Sequence, residues 1–228
     1  CGRRRRGGGG GRPQAQGLSR ASLLALAAAR EAQAAQPPDA LPERIGVVLG
    51  TGLGNLDLLD AALRDPGARL SPALAFQGYA HAAACGLSRM LGTQGPLLTV
   101  STGCNSGADA IGVALDWLRL GKCDLVYAGG AEAELLPAFL QAMGAARALQ
   151  SRHNATPAQA SRPFDAARDG NVPGEGAAVL LLARPEIAAG RKVLGWLKGT
   201  ACSSFGSRPP YDPFRPLPDP RGMLAALR

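Results

Sequence analysis

The sequence predicts an α/β protein in which helices cover a largely buried sheet. Short apolar or β-branched runs alternate with longer helical segments through most of the 228 residues, a pattern typical of this class. The turns between them carry glycine or proline, which end regular elements. Hydrophobic residues make up 46% of the chain and aromatic residues only 4%. The predicted core therefore consists of closely packed small side chains.

The predicted elements are bounded by proline, glycine or capping residues. Strands are predicted at residues 44–49, 97–100, 124–128, 177–183 and 192–198. Helical segments are predicted at residues 19–35, 55–63, 71–91, 105–120, 135–148, 185–189 and 221–228. The continuous apolar run at 177–183 predicts a strand that is buried on both faces, and Gly129-Gly130 is interpreted as a turn.

Residues 97–121 place Cys104 at the junction between an apolar strand and a helix. The first turn of a helix carries unpaired N–H groups and the positive end of the macrodipole, which together favour the nucleophilic thiolate of cysteine. The same N–H groups can bind the oxyanion that forms when sulfur attacks a thioester carbonyl. The alternative is an inert, buried cysteine. The helix is apolar on nearly every side, which predicts burial between two layers.

The amino-terminal tract is predicted to be disordered, so that residues 1–17 precede a domain at 18–228. The formal net charge is +8, and five arginines of this tract supply much of it. The body of the chain is only mildly basic, which disfavours nucleic-acid binding and suits an acidic protein partner. An arginine-rich start before an apolar run also imitates a signal peptide, but Arg30 and Glu31 interrupt that pattern.

Cysteine usage and hydropathy exclude several classes of protein. The five cysteines are widely spaced and form no C-x-x-C pair, which disfavours a zinc site or a disulfide framework and predicts a reducing, cytoplasmic location. No apolar run approaches the ~18 residues of a membrane span. The glycines at 50, 52 and 54 do not match the G-x-G-x-x-G fingerprint. No metal or nucleotide cofactor is therefore expected.

Three other polar features are given structural interpretations. His81 lies among alanines and is interpreted as a packed or locally bonded residue, and His153 is placed in a polar loop. Residues 161–170 carry charges of both signs and are interpreted as a surface loop held by ion pairs.

Several segments together resemble one family, the β-ketoacyl-acyl carrier protein synthases of thiolase fold. The most specific is the Thr102-Gly103-Cys104-Asn105-Ser106-Gly107 motif, which is similar to the family's nucleophile segment. The other segments follow in the family's order at residues 18–31, 44–54, 71–72, 92–96, 120–132, 144–149, 161–170 and 174–177. The resemblance covers residue 18 to the end and implies mainly the N-terminal half of a layered αβαβα fold.

The resemblance implies an acyltransferase. In such enzymes the cysteine, here Cys104, accepts an acyl chain from acyl carrier protein as a thioester. Decarboxylation of a malonyl-carrier thioester then gives a carbanion that attacks the acyl group in a Claisen condensation, as part of fatty acid or polyketide biosynthesis. A covalent intermediate divides transfer and condensation into two steps. The implied partners are acyl carrier protein and a second synthase subunit, in a homodimer or heterodimer.

The chain also departs from the family. The family's two catalytic histidines belong to a later half, and neither His81 nor His153 lies in its histidine motifs. The family more often has asparagine at position 81 and phenylalanine at Asn171, and its first strand is replaced by the Arg/Gly tract. The domain is therefore expected to be truncated at both ends. If the 228 residues are the whole protein, we expect acyl transfer to Cys104 but little or no condensation.

Two other functions are left open. The chain can be a non-catalytic synthase-like subunit that shapes the pocket of an active partner, although such a subunit needs no thiol at position 104. It can also be an unstable truncated product, because an apolar helix left without cover aggregates.

Overall fold

The computed structural model describes residues 18–35, 39–65, 67, 69–72 and 74–203. Within them, four strands form one sheet: β1 (Ile45–Gly50), β2 (Leu97–Val100), β3 (Leu125–Ala133) and β4 (Glu175–Ala183). The strand order is β2-β1-β3-β4. Strand β1 is parallel to both β2 and β3, and β3 is antiparallel to β4. The carboxyl ends of the three parallel strands therefore meet at one edge of the sheet.

The helices are α1 (Arg20–Ala35), α2 (Leu56–Arg64), α3 (Leu74–Gln77), α4 (Ala82–Leu91), α5 (Ser106–Arg119), α6 (Pro137–Ala145) and α7 (Pro185–Ala188). Helices α1 and α4 cover one face of the sheet, and α5 covers the other. Alanines of α1, α4 and α5 are fully buried against the strands, so the predicted core of small side chains is confirmed. The described residues form a helix–sheet–helix sandwich, which confirms the α/β class.

The helix predicted at 71–91 is wrong in its middle, because it is divided into α3 and α4. Buried Asn55 explains the break: its side-chain amide donates to the carbonyl oxygens of Gln77 at 2.7 Å and Tyr79 at 3.0 Å. These carbonyls are turned toward Asn55 and away from a continuous helix, so the chain turns before α4 begins.

The predicted turn at Gly129-Gly130 is also wrong. Both glycines lie inside β3, which continues to Ala133 and pairs with β1 on one side and β4 on the other. A Cβ at Gly129 would lie 2.0 Å from the carbonyl oxygen of Ala178. The glycines mark a close approach of backbones, and the following helix begins only at Pro137.

Burial differs from prediction in β4. Its residues alternate between half-buried and exposed positions: Ala177, Val179 and Leu181 pack toward α1, whereas Leu180 is 48% exposed. Helix α5 lies over β1 and β3 and scarcely reaches β4, so the second face of β4 has little cover among the described residues.

Two further predictions fail on the opposite side of α5. Residues 192–198 form no strand and are exposed, and Lys198 at their end accepts a hydrogen bond from Arg119 of α5. Helix α5 packs on the sheet with one face, and among the described residues its other face is covered at Gly112 by Thr200 and not by a second layer. The predicted tract at 1–17 and the predicted helix at 221–228 lie outside the described residues.

Candidate active site

Cys104 lies in a short segment between β2 and α5, which we call the nucleophile loop (residues 101–105). Its side chain is exposed, so the alternative prediction that this cysteine is buried is wrong. Helix α5 begins at Ser106 and Asn105 is its N-cap residue, which places Cys104 one residue before the cap and not in the first turn. Gly103 has φ +72°, a conformation that glycine adopts at little cost. The chain turns at this residue, immediately before Cys104.

Ser106 fixes the shape of the nucleophile loop from inside. It is 3% exposed, and its hydroxyl oxygen accepts the Thr102 N–H at 2.9 Å. The hydroxyl proton is donated to the carbonyl of Gly103 at 2.6 Å, with the Thr51 carbonyl 3.2 Å away. Buried polar groups of this kind stabilise one conformation because each lost bond leaves an unpaired group. The loop that carries Cys104 therefore has a defined backbone.

Three glycines seat the start of α5 on the ends of β1 and β3. A Cβ at Gly50 would lie 2.2 Å from the carbonyl carbon and oxygen of Ser106. A Cβ at Gly130 would lie 3.1 Å from the Cα of Gly107, and the reverse contact is 3.6 Å. Backbone thus contacts backbone directly at this point, and the first turn of α5 is held close to the carboxyl edge of the sheet.

The glycine turn after β1 binds a carboxylate of the chain itself. Glu132, at the end of β3, accepts the N–H groups of Gly52 at 2.5 Å and Leu53 at 3.2 Å, and the Thr51 hydroxyl lies 3.4 Å away. Backbone N–H groups in such a turn form an anion site. Glu132 therefore occupies the backbone N–H groups of Gly52 and Leu53 that a bound phosphate would need.

Asp109 is a polar residue of the site that the sequence interpretation missed. Its carboxylate accepts hydrogen bonds from the Thr102 hydroxyl and, at 3.0 Å, from the Cys202 thiol. The bond from Thr102, and then that from Cys202, lower the pKa of Asp109, and the same carboxylate raises the pKa of Cys202. The available signal was its position: Asp109 is the one charged residue between 105 and 115 of an otherwise apolar helix.

The residues before Cys202 follow the outer face of α5. Arg119 donates to the carbonyl of Lys198 at 2.7 Å, and Thr200 lies over Gly112, where a Cβ would be 3.1 Å from its hydroxyl. The chain therefore passes from the carboxyl end of α5 to Asp109 near its amino end. These two contacts with α5, and not pairing with another strand, hold the segment in place.

The two histidines occupy other places. His81 is exposed and stacks on the neighbouring Tyr79, with ring centroids 5.7 Å apart, so it makes a local contact and is not buried. His153 lies beside Thr156 and Arg162, at 3.4 Å and 3.5 Å. Neither ring hydrogen-bonds to the nucleophile loop in the part of the chain that the structure describes.

The segment at 161–170 is a surface loop held by ion pairs, as predicted. Arg162 contacts Asp165 at 3.0 Å, and Arg152 contacts Asp169 at 3.3 Å. Backbone N–H groups lower the pKa of both carboxyls, that of Ala167 for Asp165 and that of Ser151 for Asp169. The loop is therefore held by ion pairs, one within it and one to the preceding Arg152.

Across the described residues, no cluster of three potential metal ligands occurs. Cys85, Cys104, Cys123 and Cys202 are free thiols, and Cys123 is buried, which raises its pKa. No helix in residues 18–203, masked positions aside, is long and apolar enough to cross a membrane.

Fold and site together define an α/β protein of thiolase-like fold with an exposed thiol at the start of its central helix. The chain belongs to the β-ketoacyl synthase family: the family model described as "Beta-ketoacyl synthase, N-terminal domain" matches residues 7–188. This confirms the resemblance seen in the sequence.

Individual relatives agree with the family. The chain is 38% identical over 192 residues to the tetracenomycin polyketide synthase ketoacyl synthase alpha subunit of Streptomyces glaucescens, covering 78% of this chain and 44% of the relative. It is 41% identical over 152 residues to 3-oxoacyl-[acyl-carrier-protein] synthase 2 of Vibrio harveyi, covering 65% and 36%. The chain thus spans less than half the length of these relatives.

A solved structure shows the same fold. It is a type II polyketide synthase acyl-carrier protein in complex with its ketosynthase bound to the hexaketide, with a TM-score of 0.65 and 28% identity. The match covers 77% of this chain and 45% of that one. The thiolase-like fold class is therefore confirmed, and the relatives belong to fatty acid and polyketide biosynthesis.

Proposed function

We propose that this chain is the acyl-accepting part of a β-ketoacyl-acyl carrier protein synthase, with Cys104 as the residue that is acylated. The observation that carries the proposal is the position of this thiol, exposed on a loop of fixed shape at the amino end of α5. The family membership of the chain and the motif at 102–107 support the same role.

In the proposed step, the sulfur of Cys104 attacks the carbonyl carbon of an acyl-carrier thioester. A new C–S bond forms to Cys104, the C–S bond to the carrier breaks, and the proton of the cysteine thiol leaves on the carrier thiol. The backbone N–H of Cys104 is the proposed donor to the intermediate's oxyanion. The positive end of the α5 macrodipole lies beside Cys104 and attracts the negative charge that develops on this oxyanion.

The acyl thioester is the substrate for condensation with a malonyl-carrier thioester in fatty acid or polyketide biosynthesis. His81 and His153 are not assigned to that step, because their contacts lie away from the nucleophile loop. The carrier is the proposed partner, since a relative of the same fold was solved with its acyl-carrier protein. The dimer with another synthase subunit stays a prediction, as does the cytoplasmic location.

The proposal is tested by acyl transfer to the purified chain. After incubation with an acyl-carrier thioester, we expect peptide mass spectrometry to find one acyl group on the peptide that contains Cys104. The Cys104→Ser variant is expected to lose the adduct entirely. Cys85→Ser is the matched control, because Cys85 is also an exposed thiol but lies on α4, and this variant should be acylated like the unmodified chain.

Two results contradict the proposal. One is a chain that circular dichroism shows to be folded but that takes up no acyl group. The other is acylation that Cys85 and Cys104 share equally, which would mean that exposure and not the site governs the reaction. An aggregated or unfolded chain would instead favour the unstable-product alternative.

A further inference from the structure

Two residues that precede Cys104 in the nucleophile loop bond to the first turn of α5: Gly103, whose carbonyl accepts the Ser106 hydroxyl at 2.6 Å, and Thr102, the only one of the two that bonds through its side chain. The N–H of Thr102 donates to the buried hydroxyl of Ser106 at 2.9 Å, and its hydroxyl donates to the carboxylate of Asp109. Both polar groups of Thr102 that can donate are therefore bonded to the same helix, two residues before Cys104. The bond to Ser106 fixes the backbone of the loop at Thr102, and the bond to Asp109 fixes the Thr102 side chain.

The loop needs this second bond because of the residue that follows Thr102. Gly103 has φ +72°, and a Cβ there would meet nothing within 4 Å, so packing does not restrain it. Glycine also has the largest conformational freedom to lose on folding. The direction in which the Cys104 side chain leaves the loop therefore depends on how firmly Thr102 is held.

Asp109 is suited to holding it. Its two carboxylate oxygens are divided between the Thr102 hydroxyl and the Cys202 thiol, so each oxygen has one donor. Hydrogen bonds to an ionised carboxylate are stronger than those between neutral groups. The Cys202 contact in addition ties the carboxylate to the segment that follows the outer face of α5.

We propose that Asp109 is a positioning residue that acts through the hydroxyl of Thr102 to keep Cys104 in its reactive orientation at the start of α5. The inference rests on the proposed function in so far as acyl transfer is the reaction being positioned. Asp109 does not touch the acyl group in this account. A misplaced nucleophile loses rate even when the substrate still binds.

The test compares the maximal rate of Cys104 acylation in variants that break or keep this hydrogen bond. Thr102→Val breaks it without changing the charge, and Asp109→Ala removes its acceptor. Each is expected to lower the maximal rate about tenfold, with the carrier concentration at half-maximal rate unchanged. Thr102→Ser and Asp109→Asn keep a donor and an acceptor, and should stay within about threefold of the unmodified chain. The double variant Thr102→Val/Asp109→Ala should be no slower than either single variant.

A hydroxyl with no bond provides the matched control. Thr99, three residues before Thr102, has a buried hydroxyl without a hydrogen-bond partner, so Thr99→Val makes the same change of side chain without breaking a bond. Its acylation rate is expected to equal that of the unmodified chain. A tenfold loss in Thr99→Val would assign the effect to general packing and overturn the inference.

Alkylation by iodoacetamide separates this inference from the proposed function. If the unmodified Cys104 takes no acyl group, the proposed function fails, and alkylation alone decides the inference. Breaking the Thr102 bond changes the orientation and exposure of the Cys104 sulfur, so the alkylation rate of Cys104 in Thr102→Val should differ about threefold from that in the unmodified chain. Cys85 in the same sample should react at an unchanged rate. Equal rates at Cys104 in Thr102→Val and the unmodified chain would overturn the inference.

Discussion

The two ends of α5 are anchored to the sheet in opposite ways. At its amino end, Gly50, Gly107 and Gly130 remove every side chain from the contact, and backbones touch. At its carboxyl end, the guanidinium of Arg44 donates to the carbonyl oxygens of Gly121 and Lys122 at 2.9 and 3.2 Å. One end is seated by the close approach of backbones, and the other is held by side chains, namely the buried Leu118 and the partly exposed Arg44.

The difference matters because Cys104 lies at the amino end. A contact between backbones has no rotamers, so the start of α5 has a single position relative to β1 and β3. A partly exposed arginine can shift, and water can replace its bonds, so the far end tolerates more change. The comparison predicts that added atoms are costly at the amino end, whereas lost charge is tolerated at the carboxyl end.

The largest effect is expected from Gly50→Ala. The new Cβ would lie 2.2 Å from the carbonyl group of Ser106, and neither backbone can move aside without separating α5 from the sheet. We expect the free energy of unfolding, measured by denaturant titration and circular dichroism, to fall by about 3 kcal/mol. Acylation of Cys104 should be lost along with the fold of this region.

Gly144→Ala is the control for Gly50→Ala. Gly144 lies in α6, and a Cβ there would meet nothing within 4 Å. Since alanine favours the helix over glycine, this variant should gain about 0.5–1 kcal/mol. If Gly50→Ala were as stable as Gly144→Ala, the close contact at the start of α5 would not exist in solution.

A smaller effect of the same kind is expected from Gly130→Ala. Its Cβ would lie 3.1 Å from the Cα of Gly107, so α5 must shift by a few tenths of an ångström and the stability loss should be about 1 kcal/mol. Because the shift is at the start of α5, the acylation rate of Cys104 should fall about tenfold. An unchanged acylation rate in a destabilised variant would show that this contact does not position Cys104.

The position of Cys104 at the amino end of α5 was predicted from the sequence, whereas the contacts of Glu132 and Asp109 around it were not. Cys104 follows from a strand next to a helix and from the motif at 102–107, both of which are local. Glu132 in the glycine turn could not be predicted, because its contact with Gly52 depends on the pairing of β1 with β3, 80 residues apart. The Thr102–Asp109 bond joins the nucleophile loop to the first turn of α5, and only the isolated charge indicated it.

The same distinction explains the errors in the fold. Gly129-Gly130 resembles a turn in sequence, and only the approach of β4 and α5 shows why a strand contains two glycines. The predicted helix at 71–91 fails because a distant side chain, Asn55, binds the carbonyls at its middle. Elements set by their own periodicity, such as α1 and β1, were confirmed within one residue.

The smallest effect is expected at the carboxyl end of α5, from Asp124→Asn. Asp124 receives two hydrogen bonds from Arg44, at 2.8 and 3.0 Å, and lies 3.4 Å from Arg184. The bonds from Arg44, helped by the charges of both arginines, lower the pKa of Asp124. A carboxyl whose pKa is lower in the folded state stabilises the fold above its ordinary value of about 4, and the stabilisation is lost as the pH falls through the folded value.

We therefore expect Asp124→Asn to be less stable than the unmodified chain at pH 7, by less than either glycine variant at the amino end, because Arg44 and Asp124 are partly exposed. The difference should shrink steadily below pH 4 as Asp124 of the unmodified chain is protonated. This difference in the free energy of unfolding is measured by denaturant titrations at a series of pH values from 7 to 3. Arg44→Gln should show at least this loss, because it also removes the bonds to the carbonyls of Gly121 and Lys122. The double variant should lose less than the sum of the two single losses, because both residues share one ion pair. A pH-independent difference would mean that the carboxyl end of α5 is held by something other than this charge.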